Sequence, residues 1–144
     1  MTCTLDPVWL DVSAADDLLA HALAEVPWRS DDITLFGRTH PIPRLHCWFA
    51  DAGMTYRWSG ITLHPAPWTP TILAVRARLE AELGRPFPFL LANLYRNGAD
   101  SMGWHTDDER EMGGTPTIAS VSVGAARDFL VREKATGHRA SWHL

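Results

Sequence analysis

The chain has 144 residues, 46% hydrophobic and 21% charged, with 13 basic against 17 acidic side chains and a formal net charge of -4. That size and composition suit an ordinary globular chain with one hydrophobic core, and the net charge argues against a protein whose whole surface attracts polyanions while leaving room for a local basic groove that contacts phosphates. No apolar run is long enough to span a bilayer, the first residues lack the basic-then-apolar order of a leader, and Cys3 and Cys47 form no spaced metal or redox motif, so a single-domain, cytoplasmic monomer that does not enter membranes is expected.

Ser13 is placed to cap a helix whose apolar positions Leu18, Leu19, Leu23 and Val26 recur at helical spacing, with Asp16 and Asp17 suited to its positive first turn and Pro27 as its stop. From Ile33 the period changes. Ile33–Phe36 and Leu45–Phe49 are strand-like, and the polar stretch between them, with Gly37, Pro41 and Pro43, predicts a β-hairpin of these two runs. Residues 51–60 read as a glycine-punctuated loop in which Tyr56 and Trp58 share a face if the middle is extended.

Pro67–Leu83 predicts a second helix, with Ile72, Leu73, Val75, Leu79 and Leu83 on its apolar side and Gly84 as stop. Beyond Pro88 the runs 89–95, 101–105, 117–123, 129–132 and 140–144 are strand-like, divided by Asn97-Gly98, Gly113-Gly114 and Thr136-Gly137. Helices first and serial short strands afterwards define an α+β chain with an antiparallel sheet or barrel.

His105 and Asp107, separated by one residue, point the same way on an extended strand. An imidazole nitrogen and a carboxylate oxygen, side by side with open positions opposite, are two of the three protein ligands in the facial arrangement of non-haem Fe(II) oxygenases. The third ligand, a second His, must come from elsewhere. An isolated His-x-Asp is cheap, since such a His commonly makes a surface hydrogen bond and the Asp solvates a turn. Its surroundings add weight: the acidic cluster Asp107-Asp108-Glu109 follows Trp104, and a preceding strand carries Asn93 and Tyr95 on one face. A core strand does not spend an amide and a phenol on one face without partners, although backbone groups would also serve as partners. His46, alternating with Cys47 and Trp48, either lines a substrate face or is a satisfied structural histidine, and Cys47 belongs to the core. Phe36 at a hairpin tip acts as an apolar wedge or folds back onto the sheet.

The chain resembles the AlkB-like Fe(II)- and 2-oxoglutarate-dependent dioxygenases, and among them the branch that repairs alkylated bases in duplex DNA. The resemblance runs from about Ile33 to Lys134, on Leu35-Phe36-Gly37, Pro43-Arg44, Asp51-Ala52-Gly53-Met54-Thr55-Tyr56-Arg57-Trp58-Ser59-Gly60, Asn93-Leu94-Tyr95, His105-Thr106-Asp107-Asp108-Glu109, Ile118-Ala119-Ser120-Val121-Ser122-Val123-Gly124 and Ala126-Arg127-Asp128-Phe129. It implies a double-stranded β-helix (jelly-roll) core with N-terminal helices and a nucleotide-recognition hairpin. The division would be a helical region 1–32, a hairpin and loop 33–66, and a helix with the first jelly-roll strands over 67–144.

The resemblance further implies that His105 and Asp107 bind Fe(II), that Asn93 and Tyr95 hydrogen-bond the co-substrate 2-oxoglutarate, and that O2 is the oxidant. Trp58 would stack on an extracted base with Tyr56 beside it, while Glu109, next to Asp108, would reach the base edge. Phe36 would enter the base stack, and Arg44, on the returning strand, would contact the phosphate backbone or the vacated site. The implied activity is oxidative demethylation of 1-methyladenine and 3-methylcytosine in DNA, with RNA as the alternative nucleic acid. The family pattern continues past Leu144, where later strands carry a distal His and the arginines that pair with 2-oxoglutarate, so the expectation is an interrupted domain whose iron site is completed outside these residues. Two rival expectations stand beside it: a non-catalytic nucleic-acid-binding remnant, and a hydroxylase of a protein or small molecule.

Overall fold

The computed structural model describes residues 3–35, 37–54, 56–58, 61–106 and 116–144, with the side chains of 35, 56–58 and 61–63 left aside. Helix α1 (Val12–Glu25) begins before the predicted cap, because Asp11 Oδ1 accepts the Ala14 amide hydrogen at 2.8 Å. Asp11 rather than Ser13 is therefore the cap, and its carboxylate also brings negative charge to the positive helix end, which a hydroxyl does not. With that start, Asp16 and Asp17 fall beyond the first turn.

Helix α2 (Pro70–Leu83) starts later than Pro67, because the Thr69 side chain takes the cap position and accepts the Ile72 amide hydrogen at 3.3 Å. Pro70 then occupies the first turn, where its missing N–H leaves no bond unmade. Gly84 ends the helix at φ 63°, a left-handed conformation, and donates its N–H to Glu80 O at 2.9 Å. Of the positions predicted to face inward only Ile72 is buried; Leu73 and Leu83 are exposed.

The predicted hairpin is replaced by a different pairing. Strand β1 (Asp32–Leu35) pairs antiparallel with β2 (Arg38–Pro41), Leu35 opposite Arg38, and Gly37 has φ 76°. A positive φ suits a two-residue connection, so the chain turns back at Gly37 and the ladder ends at Pro41, opposite Asp32. Strand β3 (Leu45–Ala50) pairs instead with the distant β6 (Phe89–Leu94), in a register that sets Leu45 against Leu94 and His46 against Asn93. Within residues 51–60, Tyr56–Trp58 forms strand β4, paired antiparallel with β5 (Ile61–Leu63), so this stretch is not wholly loop. Strands β7 (Asp128–Arg132) and β8 (Arg139–His143) make the last antiparallel pair.

Residues 101–105 and 117–123 are not strands. Ser101 and Gly103 contribute little to a pleated surface, and the Ser101 N–H is committed to Pro43 O at 2.8 Å. Antiparallel pairing in an α+β chain is as expected, but among the described residues each sheet has two strands and no barrel closes.

Two compact units emerge: Met1–Glu25 with Ala119–Leu144, and Val26–Ile118. The first helix thus groups with the β7–β8 hairpin. In the second unit, β3 is covered along both edges. One edge carries β6; the other takes an antiparallel bridge from Arg29 to His46 and a parallel bridge from Ala66 to Phe49. This explains why Cys47, Trp48, Phe49 and Ala50 are all buried, with no polar alternation. Trp48 stacks on Phe89 at 5.0 Å and Phe49 on Trp68 at 5.8 Å, so aromatic contacts add to the apolar area removed from water.

Candidate active site

Directly opposed residues of an antiparallel pair lie on the same face, so the β3–β6 register brings His46 beside Asn93. Arg44, just before β3, is 7% exposed and donates from Nε to Asn93 Oδ1 at 2.8 Å. Burial draws the guanidinium pKa down from its ordinary value while Tyr95 acts in the opposite sense, which sets Tyr95 within electrostatic range of Arg44. The structure therefore brings together Asn93 and Tyr95, expected at the co-substrate, with Arg44, expected at DNA. Arg44 precedes β3 and is not on the hairpin's returning strand, which is β2; its guanidinium is turned inward onto β6.

His105 stands in an irregular stretch, and its ring is exposed. Nδ1 lies 2.9 Å from Gly103 O; a carbonyl only accepts, so Nδ1 carries the proton and in the neutral ring Nε2 bears the lone pair. That is the tautomer a metal ligand needs, oriented by a backbone carbonyl as in many metal sites. The strand geometry expected to align His105 with Asp107 is corrected, because residues 101–106 are not in a ladder. Asp107, Asp108 and Glu109 lie outside the described residues, as does Phe36; Tyr56 and Trp58 are described as backbone in β4. Among the described residues no three His, Cys, Asp or Glu side chains gather to hold a metal. His143, in the other unit, pairs through Nδ1 with Asp128 at 2.9 Å.

The path to His105 is anchored by residues that sequence reasoning missed. Asp100, 5% exposed, accepts from the Arg96 backbone N–H at 2.8 Å and from Arg96 Nε and Nη2 at 2.8 and 2.9 Å. The same turn is tied by Ser101 to Pro43, the neighbour of Arg44. Arg and Asp four apart around Asn97-Gly98 were a legible signal for this clamp. A second network fixes the far end of β3: Arg76 forms a forked pair with Asp51 at 2.6 and 3.0 Å, lies 4.9 Å from the Trp68 ring and donates to Glu80 at 2.9 Å. The Arg76 hydrogen bonds hold the Asp51 carboxyl below its usual range, and the Phe87 amide does the same for Glu80, with help from Arg76.

His46 is 3% exposed, with Nε2 2.9 Å from Asp31 Oδ2 but outside good hydrogen-bond geometry. Burial lowers its pKa, and Asp31 counteracts that only in part. The structural reading of His46 fits this partner. His46, Cys47, Arg29 and His64 also line a shallow cleft of about 170 Å³. Cys47 itself is buried and its thiol is pushed up to about 11 by desolvation, as suits a core residue.

The described residues thus present an exposed imidazole whose Nδ1 hydrogen meets a backbone carbonyl, and an amide beside a buried guanidinium. The sequence pattern of the 2OG-Fe(II) oxygenase superfamily matches residues 2–142, and the chain belongs to that superfamily. It is an AlkB-like member. It is 41% identical over 129 residues to "DNA oxidative demethylase ALKBH2" of Mus musculus, covering 90% of this chain and 51% of that protein. The same protein of Homo sapiens is 45% identical over 102 residues, covering 71% and 39%. "Alpha-ketoglutarate-dependent dioxygenase alkB homolog 3" of Homo sapiens is 40% identical over 131 residues, covering 90% and 45%. The chain spans about half the length, or less, of these relatives.

Proposed function

We propose that this chain is a cytoplasmic, monomeric Fe(II)/2-oxoglutarate-dependent dioxygenase domain that removes methyl groups from N-alkylated bases, 1-methyladenine and 3-methylcytosine, in DNA. The observation that carries the proposal is the likeness to a DNA oxidative demethylase and to an alpha-ketoglutarate-dependent dioxygenase, each across 90% of the chain, coinciding with the Arg44–Asn93–Tyr95 cluster. The residues fit the implied groups: His105 offers Nε2 to iron, with Asp107 as its partner, and Asn93 and Tyr95 offer polar groups to 2-oxoglutarate. Bound iron with 2-oxoglutarate and O2 supplies the oxidation of the base methyl, which leaves as formaldehyde.

The chain's own part is binding and orientation. The Asp100 clamp and the Ser101–Pro43 bond fix the turn that leads to His105 beside the segment bearing Arg44. Trp58 and Tyr56 offer aromatic faces to an extracted base, Asp108 and Glu109 its polar edge contacts, and Phe36 a wedge for the vacated stack. These parts would complete a jelly-roll with a nucleotide-recognition hairpin.

The test is incubation with Fe(II), 2-oxoglutarate and a duplex oligonucleotide carrying 3-methylcytosine, read by intact mass. Conversion to unmodified DNA with release of formaldehyde is expected, and Phe36→Ala is expected to slow it on duplex more than on single strands. Salt-dependent DNA binding with no change of mass would contradict demethylation and indicate a binding remnant. Consumption of 2-oxoglutarate indifferent to both DNA and Phe36→Ala would instead indicate a hydroxylase of another substrate.

A further inference from the structure

An asparagine side chain has one accepting oxygen and an NH2 with two hydrogens to donate, and its orientation is assigned from its partners. The Arg44 Nε–H only donates, so the Asn93 atom 2.8 Å from it is the oxygen. With Oδ1 engaged, the amide turns its NH2 away from Arg44, and no described residue accepts from it. An NH2 with no acceptor among the described residues is suited to an anionic oxygen, and the planar guanidinium behind the amide oxygen holds its direction. Arg44 itself is held from both sides: the segment carrying it follows β2 through the buried Ile42, and Pro43 O is bonded to Ser101.

We propose that Arg44 is a positioning residue for the co-substrate, locking the Asn93 amide with its NH2 aimed at a carboxylate oxygen of 2-oxoglutarate. This rests on the assignment of Asn93 to 2-oxoglutarate made above and adds to it a device: a residue next to the recognition hairpin sets the geometry of the co-substrate strand.

Binding of 2-oxoglutarate is measured by calorimetry with Mn(II) in place of Fe(II), so that no turnover occurs, for the unaltered chain, Asn93→Ala, Arg44→Ala, the double variant and Arg44→Lys. Asn93→Ala and Arg44→Ala are each expected to weaken binding about tenfold, as for loss of a charge-assisted hydrogen bond. The double variant is expected to bind like Asn93→Ala, because Arg44 acts only through that amide. Without ligand, Arg44→Ala is expected to shift the Asn93 side-chain amide resonances in a nitrogen–proton NMR spectrum. Arg44→Lys, which keeps the cation and serves if the alanine variant does not fold, is expected to bind several-fold more weakly than the unaltered chain. Multiplying losses in the double variant, wild-type binding by Arg44→Ala or Arg44→Lys, or unmoved Asn93 resonances would each overturn the positioning role while leaving Asn93 assigned. Unchanged binding by Asn93→Ala, or no binding by the unaltered chain, would overturn the assignment itself and the positioning role with it.

Discussion

At the scale of single residues, Arg44, His46 and Asp100 in the second unit are polar side chains that are buried and each set against a named partner. His46 illustrates the consequence for pH. Burial depresses its folded pKa below the ordinary 6.5, so the unfolded state binds the extra proton first as pH falls. The stabilisation is complete above pH 6.5 and is lost as pH falls through the folded value. Urea unfolding is therefore expected to show stability decreasing from pH 7.5 to 5.5, and His46→Gln is expected to flatten that slope; a slope unchanged by the substitution would contradict it. Cys47 gives a second outcome. With its thiol pushed up to about 11 and buried, iodoacetamide near neutral pH is expected to label Cys3 in the native protein and Cys47 only after unfolding, as read by peptide mass.

The pairing of Asn93 with Tyr95 was legible from an amide and a phenol on one strand. The inward turn of Arg44 was not: a sequence shows a cation next to a proline, and only the long-range β3–β6 register, which sets Asn93 opposite His46, brings that amide within reach of Arg44.

At the scale of elements, β3 organises the unit because both its edges are covered, and its continuous apolar run was the visible sign of that burial. Taking its neighbour in sequence as its partner in space failed, because the local turn at Gly37 closes a shorter ladder and frees β3 for β6. Such non-local pairing leaves no local trace. The helices show the same division: their existence follows from periodicity, while their ends are set by whichever side chain reaches the first free N–H, Asp11 in α1 and Thr69 in α2. Thr69→Ala is expected to cost about 1 kcal/mol in denaturant unfolding. Asp100→Ala removes the acceptor of three Arg96 N–H donors. It is expected to lower the thermal midpoint by roughly 5 °C and to weaken Fe(II) binding, because the turn leading to His105 loses its clamp. Unchanged metal affinity in a destabilised variant would limit Asp100 to folding.

At the scale of the whole molecule, the β1–β2 hairpin, the strand bearing Asn93 and the turn leading to His105 all belong to one unit, Val26–Ile118. The α+β class and the superfamily were both readable in the sequence, the first from the order of helices and strands and the second from ordered motifs between Ile33 and Lys134. A third metal ligand was not readable, since iron sites are assembled from residues far apart in sequence and His-x-Asp specifies only two donors. What unites the parts is one claim: oxidation of 2-oxoglutarate is coupled to the alkylated base. Its most direct test is the ratio of succinate formed to methyl groups removed, measured on the same methylated duplex with Fe(II) present. Matched amounts, falling together in His105→Ala, are predicted; succinate formed at the same rate without methylated DNA, or none formed at all, would contradict it.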